Sequence, residues 1–270
     1  MFFDFLIFTK RRKNPMNRIF CMIVPMKKII VVISFGVLFF LCAIMGKAQN
    51  VLKLKRPLVY YTASGSIGLL AAGHWATLNT KPYTIADLAT FNRDNLNAID
   101  RQATFQYNTQ AIFFSDATAF TCAAVPAAMS LLPKIRKEFV TYNAVYAQCL
   151  LATMGQSMIL KGFINKARPY VYNTNAPLDR RLSRDAGHSF PSMHTSVSAA
   201  ACFFAATTYC LYYPESKYKV PVWIGSVILP ALTGYLRNQS GRHFYSDIAG
   251  GYAIGAANGI LFPLLFKQRK

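Results

Sequence analysis

Between residues 111 and 266 the chain alternates long apolar runs with short polar islands. The runs cover 111–132, 139–162, Pro191 to about 213, 220–236 and 246–266. Each is close to the roughly 20 apolar residues that a helix needs to cross a bilayer. Hydrophobic residues make up 53% of the chain, and they arrive in these blocks rather than spread at amphipathic spacing. That pattern excludes an ordinary soluble core and predicts an all-α fold: a polytopic membrane helical bundle of five or six transmembrane helices.

The polar islands hold the chemistry. The first, KGFINKARP, carries Lys161 and Arg168-Pro169. The second, HSFPSMHTS, carries Pro191, Ser192, Met193 and His194. The third, RNQSGRHFYSD, carries Arg237, His243 and Asp247. A phosphoryl group in transfer spreads negative charge over its equatorial oxygens, so a protein acts on it mainly by positioning and neutralising. Arg168 and Arg237 can each grip two oxygens with a planar fork, and Lys161 adds a point charge. The Ser192 hydroxyl and the N–H groups of a helix start add donors. His243 is the candidate nucleophile. Asp247, four residues on, is placed to accept the proton of one ring nitrogen and leave the other to attack phosphorus. His194 is the candidate general acid for the leaving oxygen.

These islands resemble the signature of the type 2 phosphatidic acid phosphatase superfamily, KxxxxxxRP, PSGH and SRxxxxxHxxxD, in order and spacing over about residues 110–266. Two positions depart from it. Met193 stands where the family has glycine, and Leu236 where it has the leading serine of the third element. Met193 keeps the backbone N–H but adds a flexible thioether at the mouth of the site. The resemblance implies a metal-independent membrane lipid phosphatase without a cofactor. In it His243 would carry a phosphohistidine, with His194 and Asp247 as catalytic partners. Lys161, Arg168, Ser192, Met193 and Arg237 would form the phosphate-binding set. The implied partner is a phospholipid or other lipid phosphate: lipid A, phosphatidate, phosphatidylglycerol phosphate or undecaprenyl diphosphate. Two other readings stay open. One is a vanadate-dependent haloperoxidase-like oxidoreductase, which shares the constellation. The other is a catalytically inactive lipid-binding membrane protein, motivated by Met193.

The remaining features fit this frame. The net charge of +20 reads as flanking positive-inside charge and as attraction to anionic headgroups. No soluble basic face interleaved with aromatics points to nucleic acid. The six cysteines lack CxxC spacing and no HExxH occurs, so no metal site is expected. Asp116 sits inside an apolar run, where a carboxylate is costly, and is a functional candidate or a local interfacial partner. Arg180, Arg181 and Arg184 are either headgroup contacts or solvated loop charge.

Four segments follow: a leader (1–48), an apolar segment with an amphipathic surface region (49–110), the membrane phosphatase core (111–266) and a basic tail (267–270). The leader reads as a secretory signal peptide starting at Met26, or as a signal anchor. The basic turns at 134–137 and 217–219 and the tail share one side by span parity. The positive-inside rule makes that side cytoplasmic. The expected location is therefore the inner membrane, with the motifs facing the periplasm or cell exterior. Residues 57–78 are the difficulty. They cross once, or they lie in the interface, depending on how the leader is disposed.

Overall fold

The computed structural model describes residues 51–268. The expectations for the leader lie outside them. Six long helices organise the described chain: α1 (Arg56–Leu78), α2 (Thr109–Met129), α3 (Phe139–Ile164), α4 (Met193–Tyr212), α5 (Lys219–Gln239) and α6 (Tyr245–Leu265). The polar islands punctuate them. Asn108 opens α2 by accepting the N–H groups of Gln110 and Ala111 at 2.9 and 3.1 Å, satisfying donors that have no intrahelical partner. Asn165 closes α3 in the left-handed region, with φ 44°. In the surface region, a Thr84–Asp87 capping box forms in both directions at the start of a short helix, Ile85–Thr90.

The hub is α4, which packs against α2, α3, α5 and α6. Its sequence permits this, because Ser196, Ser198, Ala199, Ala200, Ala201, Ala205 and Ala206 are all buried and small. Gly251, Gly255 and Gly259 of α6 lie directly against the α4 backbone, as helix packing by small residues requires. Among the described residues, three helices, α2, α5 and α6, are long and apolar enough to cross a membrane. Their outer faces expose Phe113, Phe114 and Phe120, Ile224, Ile228 and Leu232, and Leu261 and Leu264. Large apolar side chains facing outward suit hydrocarbon rather than water. α1, α3 and α4 have similar lengths but carry more polar residues among their packed faces, such as Gln148, Thr153, Ser157 and Ser196.

The two ends of the bundle differ in character. At one end Val51 and Leu52 donate backbone N–H groups to the Glu138 carboxylate at 2.7 and 3.1 Å. Tyr212 donates its hydroxyl to the same carboxylate at 2.7 Å. Leu52 also bridges Lys267, and Lys134 N–H meets the Tyr213 hydroxyl. This end gathers the basic turns. The other end holds the polar islands. There Thr80, just beyond α1, meets His188 at 2.8 Å and accepts from Arg184. α1 therefore runs from the basic end to the island end in one pass, packed along α3.

Pro191 differs from expectation. The apolar run counted from Pro191 predicts a helix opening there, but α4 begins at Met193 with Ser192 as its cap residue. Pro191 thus precedes the helix instead of opening it.

Candidate active site

Loop hydrogen bonds draw the three islands together before any side chain is considered. Arg168 N–H donates to Ala186 O at 2.8 Å and Ser189 N–H to Lys166 O at 2.9 Å. Tyr170 N–H donates to Gly241 O, and Ser192 N–H to Asp247 O, both at 3.0 Å. Gly241 has φ +69°, and a Cβ there would fall 2.2 Å from Gln106 O. Only glycine fits both the left-handed conformation and that close approach. The turn delivers the next residues, Arg242 and His243, into the interior.

His243 is 1% exposed. Its Nδ1 lies 2.8 Å from Ser189 O, and its Nε2 lies 3.2 Å from an Arg168 guanidinium nitrogen. A carbonyl only accepts and a guanidinium only donates. Nδ1 therefore carries the proton, and Nε2 presents its lone pair. Burial pushes the imidazole well below the usual histidine range, and Arg168, Lys161, Arg237 and His194 push it further the same way. The ring is neutral at ordinary pH, as a nucleophile must be.

Asp247 stands differently from the sequence expectation. Its Oδ2 is 3.8 Å from His243 Nδ1, and the Ser189 carbonyl takes the ring proton instead. That oxygen accepts from the Ser189 hydroxyl and from Phe244 N–H at 2.9 Å. Oδ1 accepts from Lys166 Nζ at 2.8 Å. As the third residue of α6, Asp247 also serves the helix start. It fixes Ser189, and so the carbonyl that orients His243.

The cations surround the imidazole. Arg168 is 5% exposed, and it donates to the Asp185 carbonyl and carboxylate at 2.9 and 2.7 Å and to Arg242 O at 3.2 Å. Partial burial favours the neutral acid at Asp185, yet Arg168, Arg242 and Lys161 hold it well below the usual carboxylate range. Lys161 is 6% exposed and donates to His188 O at 2.6 Å. An ammonium has three N–H bonds, so two are left for an anion. Arg237 Nε is buried without a partner among the described residues. Such an orphan donor among cations marks a place for an anion's oxygen. Because α4 starts at Met193, its first N–H groups also lack intrahelical acceptors. Ser192 itself is fully buried, and its hydroxyl accepts from Thr195 at 2.9 Å.

Asp116 joins the second and third islands. Its Oδ1 lies 3.0 Å from His194 Nε2 and 3.1 Å from Arg237. The apolar run around Asp116 was the signal for it. Lys166, Asp185, Ser189 and Arg242 were not singled out as site residues, although they hold the site together. Two of the loop arginines prove to be braces: Arg181 donates to Val171 O at 3.0 Å and Arg184 to Thr80 O at 3.1 Å. His188, buried beside Thr80, is pushed down to about 4 by burial, with Lys161, Arg168 and Arg184 acting the same way against Asp185. It is a neutral strut between α1 and the island loop.

Comparison with known proteins gives three findings. Residues 142–270 match the model of the PAP2 superfamily. Phosphatidylglycerophosphatase B of Bacillus subtilis (strain 168) is 34% identical over 100 residues, which cover 36% of this chain and 44% of that protein. The matched stretch is thus less than half of that relative. The crystal structure of a transmembrane PAP2 type phosphatidylglycerolphosphate phosphatase from Bacillus subtilis aligns with a TM-score of 0.41 at 20% identity, over 86% of this chain and 94% of that one.

Proposed function

We propose that the chain, whose residues 142–270 match the PAP2 superfamily model, is a membrane lipid phosphatase working through a phosphohistidine at His243. The carrying observation is the fixed tautomer of His243: Nδ1 donates to Ser189 O at 2.8 Å while Nε2 faces Arg168 at 3.2 Å. A neutral imidazole with its lone pair aimed among buried cations suits attack on a phosphate.

In the first step the Nε2 lone pair forms a bond to phosphorus, and the bond from phosphorus to the lipid oxygen breaks. Protonated His194 gives its proton to that oxygen, and the lipid alcohol leaves. In the second step water gives a proton to His194 and adds to phosphorus. The N–P bond breaks, its electron pair returns to Nε2, and phosphate departs. Lys161, Arg168 and Arg237 neutralise the equatorial oxygens throughout, with the N–H groups at the start of α4. These cations occupy the role that a metal ion plays in other phosphoryl-transfer sites, which supports a metal-independent reaction. Met193, half-buried at the first position of α4, borders the place where the lipid enters.

The basic end, by the positive-inside rule, faces the cytoplasm and puts the site on the outer face of the inner membrane. The substrate would be an envelope lipid phosphate. Phosphatidylglycerol phosphate heads the panel because of the relative's name; phosphatidate, lipid A and undecaprenyl diphosphate complete it. Phosphate release by detergent-purified protein with EDTA present tests the reading. Turnover of at least one of these lipids is expected; no release from any of them overturns it.

Asp116 supplies a sharper test of the general acid. Its carboxylate holds His194 and Arg237 together. Asp116→Asn keeps an acceptor but loses the charge that favours protonated His194. A fall in kcat of about a hundredfold is expected, with a smaller change in KM, read by steady-state kinetics. An unchanged kcat would remove His194 from that role.

A further inference from the structure

Asp247 is fully buried, and a buried carboxylate needs a counter-charge. The nearest cation to it is Lys166, from inside the first island. Its ammonium lies 2.8 Å from Asp247 Oδ1 and 2.8 Å from the Ser246 hydroxyl. It also sits 4.4 Å from the centre of the Phe244 ring. A second carboxylate stands behind it. Asp100 is 4% exposed and lies 3.7 Å from the same ammonium. Asp100 accepts from Ser246 N–H at 3.1 Å and from the Ser246 hydroxyl at 2.6 Å. Asn97 completes its shell with an N–H at 3.1 Å. The extramembrane helix Ala98–Arg101 is thereby tied to the first turn of α6.

We propose that Lys166 is a positioning residue for the reaction, sharing the charge of Asp247 between itself and His243 under the control of Asp100. This rests on the reading of His243 as nucleophile. The phosphohistidine carries positive charge on its ring, and a strongly negative Asp247 at 3.8 Å would stabilise that adduct and slow its hydrolysis. Lys166 offsets part of that field. It keeps the Asp247 carboxylate fixed on Ser189, yet leaves His243 a good enough leaving group for the second step. Asp100 opposes Lys166, so the three charges set one balance.

The other charged groups near the imidazole are Lys161 on α3, His194 on α4, Arg237 on α5, and Arg168, Arg242 and Asp185 in the loops. None of them changes in the test. Lys166→Met, Lys166→Arg and Asp100→Asn would be compared with wild type at one lipid substrate. The readouts are kcat, KM, the acid limb of kcat/KM, and the steady-state phosphoenzyme after alkaline quench.

Removing Lys166 leaves Asp247 acting more strongly on His243. The ring then protonates at higher pH, so the acid limb of Lys166→Met moves up by about half a unit or more. Its phosphoenzyme level rises about threefold, and kcat falls about tenfold with KM little changed. Lys166→Arg restores all three. Asp100→Asn removes a negative charge, so its acid limb moves down. A Lys166→Met enzyme with the wild-type acid limb and phosphoenzyme level overturns the proposal. So does equal impairment of Lys166→Met and Lys166→Arg, which a purely structural role would give. If Lys166→Met does not fold, the direction of the Asp100→Asn shift decides, and an unmoved limb overturns the proposal. If wild type itself forms no phosphoenzyme while releasing phosphate, the nucleophile reading fails, and this inference with it.

Discussion

His243→Ala is expected to lower kcat for lipid phosphate hydrolysis by about a thousandfold or more, with KM changed only a few-fold. The asymmetry follows from the site. The imidazole contributes its lone pair to the bond being made, whereas phosphate binding belongs to Lys161, Arg168, Arg237 and the start of α4. Alanine would empty a fully enclosed space between Ser189 O and Arg168 without removing a binding cation. Steady-state kinetics on the preferred lipid would measure the loss, and rapid quench would show no phosphoenzyme. His194→Ala should differ: it retains the nucleophile, so a substrate with a good leaving group would still phosphorylate it. Retained turnover in His243→Ala would place the covalent step elsewhere and remove the central claim.

The second large effect is structural. A Cβ on Gly255 would lie 2.1 Å from Ser196 O, 2.8 Å from Ala199 Cβ and 2.9 Å from Ala200 N. Two of those atoms are helix backbone and cannot swing aside. Gly255→Ala should therefore destabilise the protein by about 1–3 kcal/mol, as overpacking does, and Gly255→Leu should abolish a monodisperse folded state. The internal control is Gly65 or Gly225, where an added Cβ meets nothing within 4 Å. Alanine at either should be neutral or stabilising by up to about 1 kcal/mol through helix propensity. Thermal unfolding in detergent separates the two classes. Activity should fall with stability at Gly255, because α6 carries the Asp247 carbonyl that anchors Ser192. If Gly255→Ala were as stable as Gly65→Ala, the close packing of α4 on α6 would be wrong.

Much of this was legible in the residues. The apolar runs locate α2 to α6 to within a few positions, because lipid and tight packing demand apolar residues on every face of a helix. The motif residues gather at one end because each island terminates a run. Asp116 stood out as a charge within a hydrophobic stretch. Other parts left no trace. The acceptor that orients His243 is the backbone carbonyl of Ser189, and a carbonyl has no letter in the sequence. Asp247 looked like the orienting group by its spacing of four, but the helix starts only at Tyr245. Its carboxylate then turns to Phe244 N–H and Ser189, not to the ring nitrogen. Lys166 was hidden for a similar reason. α3 ends at Ile164, and Asn165 turns left-handed, so helical periodicity from Lys161 says nothing about where Lys166 goes. Arg181 and Arg184 read as headgroup contacts or solvated charge because their acceptors, Val171 O and Thr80 O, are again backbone carbonyls.

The clasp at the basic end has a mechanical consequence. Leu52 is bridged to Lys267, and Gln268 N–H donates to Val51 O. Glu138, just before α3, accepts from both Val51 and Leu52. The chain entering α1, the chain leaving α6 and the head of α3 are thus fastened to one another at the end opposite the islands. The bundle resembles tongs joined at the foot: the hinge is tied, and the working tips are held by the island loops alone.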